Sequence, residues 1–248
     1  MATEPTRPEE VPGSPERPSG LTSGNGAGLR AEPTAARQER VLSEMSHELG
    51  NFFHKLYYWA EYLRNEGPVS SGSNGEQTAG EMLERTIRHL EGFLKVSLEY
   101  FAPVDVSPMR MTGNDLLDSF VSRLSTRLCG TNVDVSRPDG QGVPEVLVDP
   151  GRTSQALEIA VRRVAQQVGD DSRLAVAMRT ATYGDRPCVE LRVVIEHPSE
   201  RSPFFETAEA GVEWALMEKL FELHEGGVCE HLVAGQACGF SIFVPVSR

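Results

Sequence analysis

Apolar residues recur at alternating intervals of three and four from residue 42 to residue 63, which is the spacing of one continuous seam along a helix. The pattern predicts a first helix over Ala35–Arg64, which ends before Gly67-Pro68 and the Ser/Gly/Asn cluster through Gly75. A second helix over Glu76–Tyr100 repeats the alternation, and Ala102-Pro103 ends it. The two seams are Leu42, Met45, Leu49, Phe52, Leu56, Trp59 and Leu63, and then Leu83, Ile87, Leu90, Leu94, Ser97 and Phe101.

Two long helices joined by a short loop form a helical hairpin, and a single hairpin buries only part of each helix. The aromatic residues Phe53, Tyr57 and Tyr58 widen the apolar arc of the first helix beyond what one partner helix covers. We therefore expect a homodimer in which two hairpins form a four-helix bundle through residues 36 to 102. The alternative is a monomeric hairpin that packs on the domain that follows.

From Val104 onward the pattern changes to short mixed elements, which predict an α+β sandwich. Strands with alternating apolar residues surround a turn at Tyr183–Pro187, and a helix precedes the last strands. The expected helices are Gly113–Leu128, Thr153–Val168 and Gly211–His224, and the expected strands are Val133–Val135, Val146–Val148, Leu174–Ala181, Cys188–Glu196, Leu232-Val233 and Phe240–Val246.

Composition narrows the class of protein. The formal charge of -12 argues against nonspecific nucleic-acid binding, which needs a basic face. No apolar run is long enough for membrane insertion, the N-terminus lacks the apolar core of a signal peptide, and four cysteines in 248 residues do not form a disulfide framework. We expect a cytoplasmic protein with reduced thiols.

Residues 1 to 34 are rich in Pro, Gly, Glu, Ser and Thr, and we interpret them as a disordered tail.

Candidate chemistry lies inside the first seam, at Ser46-His47-Glu48-Leu49-Gly50-Asn51. His47 falls on the face turned away from the seam, Asn51 follows one turn later, and Glu48 is adjacent. An exposed histidine on a rigid helix can act as a nucleophile toward phosphorus, with Glu48 as a base and Asn51 orienting a water or a phosphoryl oxygen. His54 lies one heptad later on the same face, but no acid follows it.

This box resembles the phosphoacceptor box of two-component histidine kinases. The resemblance implies that His47 is the phosphoacceptor, that Glu48 is the general base for phosphorylation, and that Asn51 is linked to phosphatase activity. It also implies that residues 35 to 103 form a dimerisation and phosphoacceptor domain. The proline that usually follows in the family is absent, because Phe52 and Phe53 occupy the next two places.

Residues 104 to 248 resemble the ATP-binding domain of histidine kinases, the Bergerat fold shared with the Hsp90 and gyrase ATPases. Three segments carry the resemblance: the start of a helix at Asp149-Pro150-Gly151-Arg152, the strand Val189–Glu196, and a closing helix-turn-hairpin. The closing segment comprises Glu222-Leu223-His224-Glu225-Gly226-Gly227, with one inserted residue at Glu225, then Gly235-Gln236-Ala237-Cys238-Gly239-Phe240 and Val244-Pro245.

The departures from the family concern nucleotide chemistry. Ile159 and Arg163 stand where the family has asparagines, and a guanidinium cannot coordinate the Mg²⁺ that bridges the nucleotide phosphates. The first glycine box is replaced by Ile195–Arg201, where Glu196 is the one possible substitute for the adenine-binding Asp. In the second box Gly211 is kept, but Glu213 and Trp214 replace Gly and Leu, and the lid is reduced to Pro198–Ala210.

The intact acceptor box and the degenerate ATP half together predict a histidine phosphotransferase, which exchanges a phosphoryl group between His47 and receiver-domain aspartates of response regulators. Such a protein binds no cofactor of its own, because the partner receiver supplies Mg²⁺. One alternative is a divergent but active kinase with Glu196 and Gly211 as remnants, and another is a non-catalytic pseudokinase that sequesters a response regulator. A zinc site at His224, Cys229, His231 and Cys238 is a further alternative, although these spacings match no standard zinc finger.

Overall fold

The computed structural model describes residues 34–65, 73–128, 132–136, 143–169, 172–196, 208–233 and 236–247. The expected N-terminal tail lies outside these residues except for Thr34. The helices are α1 (Thr34–Asn65), α2 (Ser73–Phe101), α3 (Gly113–Arg127), α4 (Pro150–Gln167) and α5 (Ala208–Glu222). The strands are β1 (Met109–Thr112), β2 (Asn132–Ser136), β3 (Glu145–Val148), β4 (Arg173–Tyr183), β5 (Arg186–Glu196), β6 (Gly227–Val233) and β7 (Gln236–Pro245).

The helices α1 and α2 form the expected hairpin, and the remaining elements form an α/β sandwich, so the α+β class is confirmed. Five strands form one sheet in the order β2-β4-β5-β7-β6, in which only the β2–β4 pair is parallel. The strands β1 and β3 form a separate antiparallel pair. Helices α3, α4 and α5 pack on one face of the large sheet around a continuous apolar core.

Period-two alternation on β5 explains how the sheet acquires this core. Val189, Leu191, Val193 and Ile195 are almost fully buried beneath the helices, and they lie on one face of the strand. The facing helix α3 contributes Phe120, whose side chain is completely buried. Burying such side chains is worth about 2 kcal/mol each, which makes this layer the main source of apolar stabilisation.

Two helix starts are fixed by capping side chains. Thr112 accepts a hydrogen bond from the Asp115 N–H at 3.1 Å at the start of α3. Asp149 accepts one from the Arg152 N–H at 3.0 Å and a second from the Ser107 N–H at 2.8 Å. These backbone donors stabilise the carboxylate and hold the pKa of Asp149 below its ordinary value. Asp149 therefore ties the segment after α2 to the first turn of α4.

Helix α5 ends in a turn that contains the inserted residue of the closing segment. Glu225 has a φ of 60°, and the Gly226 N–H donates to the Phe221 carbonyl at 3.0 Å, as in Schellman-type helix ends. A Cβ on Gly226 would lie 2.1 Å from the Phe243 carbonyl oxygen, so a glycine is required there. The insertion is thus accommodated by one residue in the left-handed region.

The hairpin and the sandwich meet where α5 packs against both hairpin helices. Arg37 is 4% exposed, and its guanidinium contacts Glu218 at 3.2 Å and Glu222 at 2.7 Å, one turn apart on α5. The Lys219 ammonium donates to the Tyr100 and Ala102 carbonyls at 2.5 and 2.8 Å, at the end of α2. Charged contacts therefore join α5 to the start of α1 and to the end of α2.

Several expected boundaries are wrong. Helix α2 begins at Ser73 rather than at Glu76, so it includes the end of the Ser/Gly/Asn cluster, and Gly67-Pro68 lies outside the described residues. Strand β1 was not expected, since it has four residues, and β6 begins at Gly227 rather than at Leu232 because it pairs along its length with β7. Leu42, expected in the seam, is 51% exposed in the single chain, whereas its neighbour Val41 is buried.

We expect Arg37→Gln to destabilise the protein by about 3 kcal/mol, because it leaves two partly buried carboxylates without their shared cation. Chemical denaturation measures the loss. The matched control is Arg64→Gln, which removes an exposed ion pair with Glu61 and should change stability by less than about 0.5 kcal/mol. Equal losses in the two variants would contradict the role assigned to Arg37.

Candidate functional site: an exposed histidine beside a closed helix pair

The predicted acceptor residues lie together on the outward face of α1. His47 is exposed, and Glu48 and Asn51 are partly exposed. The Asn51 amide nitrogen lies 3.1 Å from the Glu48 Oε2 and 3.3 Å from the His47 Nδ1. One amide group therefore contacts both the histidine and the acid, as the spacing of three and four residues along a helix allows.

The carboxylate fixes how the Asn51 amide is oriented. An ionised Glu48 only accepts hydrogen bonds, so the amide turns its NH₂ group toward it, and the same nitrogen then faces the His47 Nδ1. Nδ1 accepts in this arrangement, so a neutral imidazole carries its proton on Nε2. Among the described contacts, no hydrogen bond joins Glu48 to the imidazole. The roles of His47, Glu48 and Asn51 stay predictions.

The surface beside the imidazole is open to an approaching group. A Cβ built on Gly50, three residues after His47, would meet no atom within 4 Å. His54, the second-ranked acceptor, is also exposed. Exposure therefore does not distinguish the two histidines, and only His47 has an adjacent acid and the shared amide.

Helix α5 borders this site on one side. The residues Arg37, Val41 and Glu44 form a stripe along α1, and Glu48 continues the same spacing. Val41 is 1% exposed, and a Cβ on Gly211 in α5 would lie 2.6 Å from the Glu44 carboxylate. This second stripe was not predicted, although the i, i+4 spacing of Arg37 and Val41 beside the main seam is a detectable signal. Glu48 thus belongs to both the acceptor group and the stripe that faces α5.

Direct contacts join α4 to the start of α5, where the resemblance places Mg²⁺ and the nucleotide phosphates. Arg163 is 3% exposed, and its guanidinium donates to the Ala210 carbonyl. Glu213 is also buried and pairs with Arg162 at 3.0 Å. The residues that replace the family's oxygen ligand and glycine therefore bind groups of this chain.

The remaining nucleotide-site positions differ: Trp214 is held in structural contacts, Glu196 is exposed, and the others lie outside the described residues. Trp214 is buried, stacks edge-on against Phe240 and donates to Glu218 at 3.0 Å. Glu196 is exposed at the end of β5. Residues 197 to 207, which include most of the reduced first glycine box and lid, lie outside the described residues.

The histidines of the proposed zinc alternative are used in other contacts. The Asp149 N–H donates to the His224 Nε2 at 2.8 Å, and His224 Nδ1 lies 2.6 Å from the Leu220 carbonyl, so both ring nitrogens are engaged. His231 Nε2 lies 2.8 Å from the Ser241 hydroxyl. Among the described residues, no three His, Cys, Asp or Glu side chains are grouped as metal ligands. These contacts do not support a zinc site.

Comparison with solved structures identifies the architecture. The histidine kinase ThkA, in complex with response regulator protein TrrA, matches with a TM-score of 0.59 at 16% identity, over 86% of this chain and 65% of that chain. This chain has the fold of a histidine kinase. No protein-family model matches the sequence, and no curated protein matches it.

Other matches are also histidine kinases. Acinetobacter baumannii AdeS matches at 12% identity with a TM-score of 0.49, over 82% of this chain and 98% of that one. The mycobacterial sensor histidine kinase MprB matches at 16% identity with a TM-score of 0.43, over 56% and 97%. Within the described part of this histidine kinase fold, no helix has the length and apolar character needed to cross a bilayer.

Glu230 on β6 is a titrating group at the junction of the hairpin and the sandwich. Burial and the nearby Glu218 raise the pKa of Glu230 to about 7, although Arg163 on α4 and Arg40 on α1 oppose the rise. One of its carboxylate oxygens is buried without a hydrogen-bond partner. The folded state thus favours the protonated carboxyl near neutral pH.

We expect Glu230→Gln to reduce the loss of stability between pH 5 and pH 8. A raised folded-state pKa means that the folded protein holds its proton more tightly than the unfolded chain does, so stability falls as pH rises from about 4.5 to about 7. The full effect is at most about 3 kcal/mol. Denaturation at several pH values measures it. Glu196→Gln, at an exposed carboxylate, is the control, and parallel pH profiles for wild type and Glu230→Gln would refute the assignment.

Proposed function

We propose that this protein is a histidine phosphotransferase that exchanges a phosphoryl group between His47 and the aspartate of a receiver domain without using ATP. The observation that carries the proposal is the contrast between two regions. His47 is exposed beside a polar amide and a carboxylate, whereas Arg163 and Glu213 are buried in contacts that close α4 onto α5.

The exchange depends mainly on how the imidazole of His47 and the aspartyl phosphate of the receiver are positioned relative to each other. In uptake, the Asn51 amide turns away and the proton of the neutral imidazole lies on Nδ1, so that the in-plane lone pair of the His47 Nε2 is free. Nε2 attacks the phosphorus of an aspartyl phosphate, a N–P bond forms, and the P–O bond to the aspartate breaks. The carboxylate of the receiver leaves as the anion. The Nδ1 proton passes to Glu48, and the reverse sequence returns the phosphoryl group. The receiver supplies the Mg²⁺ that neutralises the phosphoryl oxygens.

A response-regulator receiver domain is the proposed partner. ThkA, which shares this fold, was solved with a response regulator, TrrA. The receiver would approach from the open surface beside His47, where a Cβ on Gly50 would meet no atom within 4 Å.

We also propose that the hairpin dimerises. Large apolar side chains remain exposed on both helices of the single chain, and an exposed apolar surface of this kind marks an interaction site. They include Leu42, Phe53, Tyr57 and Tyr58 on α1 and Ile87, Leu94, Leu98 and Phe101 on α2.

Light scattering should give the mass of a dimer at micromolar concentration, because a second hairpin would cover these side chains. Leu98→Glu should shift the mass toward the monomer, since that side chain is 72% exposed in the single chain. Leu147→Glu, on β3 outside the hairpin, is the matched control and should stay dimeric. A monomeric wild-type protein would rule out the four-helix bundle.

ATP should bind with a dissociation constant weaker than about 1 mM, because Arg163 occupies the position of the family's Mg²⁺ ligand and Glu213 adds a carboxylate where phosphate would lie. Calorimetry with Mg-ATP should therefore show no binding heat. A micromolar dissociation constant would favour the divergent active kinase instead.

His47→Gln should abolish phosphoryl uptake from a phosphorylated receiver and leave the dimer intact, because the residue lies away from the seam. Transfer of a radiolabelled phosphoryl group measures this. Glu48→Gln should slow transfer by about a hundredfold if Glu48 is the general base. Asn51→Ala should mainly change the rate at which phosphohistidine is lost to water.

His54→Gln is the control for this series and should transfer normally. Transfer by His47→Gln at the wild-type rate would show that the acceptor is wrongly assigned. Receiver binding without transfer by the wild-type protein would instead identify a sequestering pseudokinase.

A further inference from the structure

A groove of 710 Å³ lies on the sandwich, away from His47 and from the α4–α5 contact. Its apolar lining comes from β3, from the start of β5 and from the residues next to β1, α5 and β7. The apolar lining residues are Pro108, Leu147, Pro187, Leu223, Pro245 and Val246. Leu147 and Leu223 are 44% and 37% exposed, so apolar surface is available there.

Charges of both signs flank the apolar floor. Arg110 pairs with Glu145 at 3.4 Å, and Arg186 pairs with Glu225. Glu225 is the residue that the α5 turn holds at a φ of 60°, a conformation that costs a non-glycine residue about 1 kcal/mol. The strained turn thus places a carboxylate at the groove wall, which is a pattern typical of binding sites.

The start of α1 is joined to the end of α5, and the residues that follow α5 form one wall of the groove. Arg37, three residues after the first residue of α1, contacts Glu222, and Glu222 directly precedes Leu223 in the groove wall. Residues 1–33 continue from this point. The 15 residues from Ser19 to Thr34 can span about 50 Å when extended, which is ample to return to the groove.

The segment Val11–Ser19 has the composition that the groove would accept. Its prolines, Pro12, Pro15 and Pro18, recur every third residue, which favours an extended polyproline conformation with one apolar edge. Glu16 and Arg17 between them offer both signs of charge. Proline residues also lose little entropy on binding, since their φ is already restricted.

We propose that residues 11–19 of this chain dock in the groove between Leu147 and Leu223, with the prolines on its apolar floor and Glu16 and Arg17 at its charged rims. The N-terminal segment is then an intramolecular ligand of the sandwich. A protein that carries a similar proline-rich segment would compete for the same groove.

Proteolysis of the full chain tests the proposal. A glutamate-specific endopeptidase cuts after Glu16, and mass spectrometry follows the released N-terminal fragment. Docking should slow this cut about tenfold relative to Leu147→Glu and Leu223→Glu, because tethering supplies a millimolar effective concentration. Thr180→Glu, which adds the same charge at an exposed position on β4, is the control and should keep the wild-type rate.

Peptide binding provides a second readout that does not depend on one variant folding well. A labelled peptide of residues 8–22 should bind more tightly to a full chain with Pro12, Pro15 and Pro18 changed to Gly than to wild type, whose own segment competes. Addition of Leu147→Glu should abolish that binding. Equal cleavage after Glu16 in wild type and both groove variants, or peptide binding that Leu147→Glu leaves unchanged, would overturn the proposal.

Discussion

The ion pairs of Arg37 hold the acceptor helix and the sandwich in one arrangement. A buried guanidinium is costly to desolvate, and here it is compensated by two carboxylates one turn apart on α5. Arg37, Val41 and Glu44 lie along the same stripe of α1, so the orientation of that helix about its own axis is set by contacts with α5. His47 follows on the same rigid helix, and its direction is therefore fixed by residues far away in the sequence.

The contacts of α5 support the proposed exchange between proteins over the alternative of a divergent active kinase. A bound nucleotide would have to bring its terminal phosphate to the imidazole of His47. Here α5 is joined to α1 by Arg37 and to the end of α2 by Lys219, and its first turn is bonded to α4 through Arg163. The side of His47 next to Gly50 is open, and the proposed receiver would approach there.

Helical periodicity was sufficient to predict the exposure of His47 and its proximity to Asn51, because residues four apart share a helix face wherever the helix packs. It was insufficient to show what the second stripe at Arg37 and Val41 packs against, since the partners of Arg37 on α5, Glu218 and Glu222, are about 180 residues away in the sequence. Strand β1 has four residues and is too short to show alternation. The beginning of β6 was not predicted because the polar residues Glu230 and His231 interrupt its apolar pattern. The substitution at Arg163 was visible in the sequence, but its bond to Ala210 depends on how α4 and α5 pack.

The shared amide of Asn51 makes the acceptor group sensitive to which ring nitrogen carries a proton. In the proposed phosphohistidine, Nε2 carries the phosphoryl group and Nδ1 stays an acceptor, so the contact with Asn51 would persist. A proton on Nδ1 would instead place an N–H donor opposite the NH₂ donor of Asn51, so the contact would break and the Asn51 side chain could turn away. The orientation of the Asn51 amide therefore depends on which nitrogen of His47 is protonated. Because the same amide contacts Glu48, a change at the histidine alters the hydrogen bonding of Glu48 without any contact to the phosphoryl group.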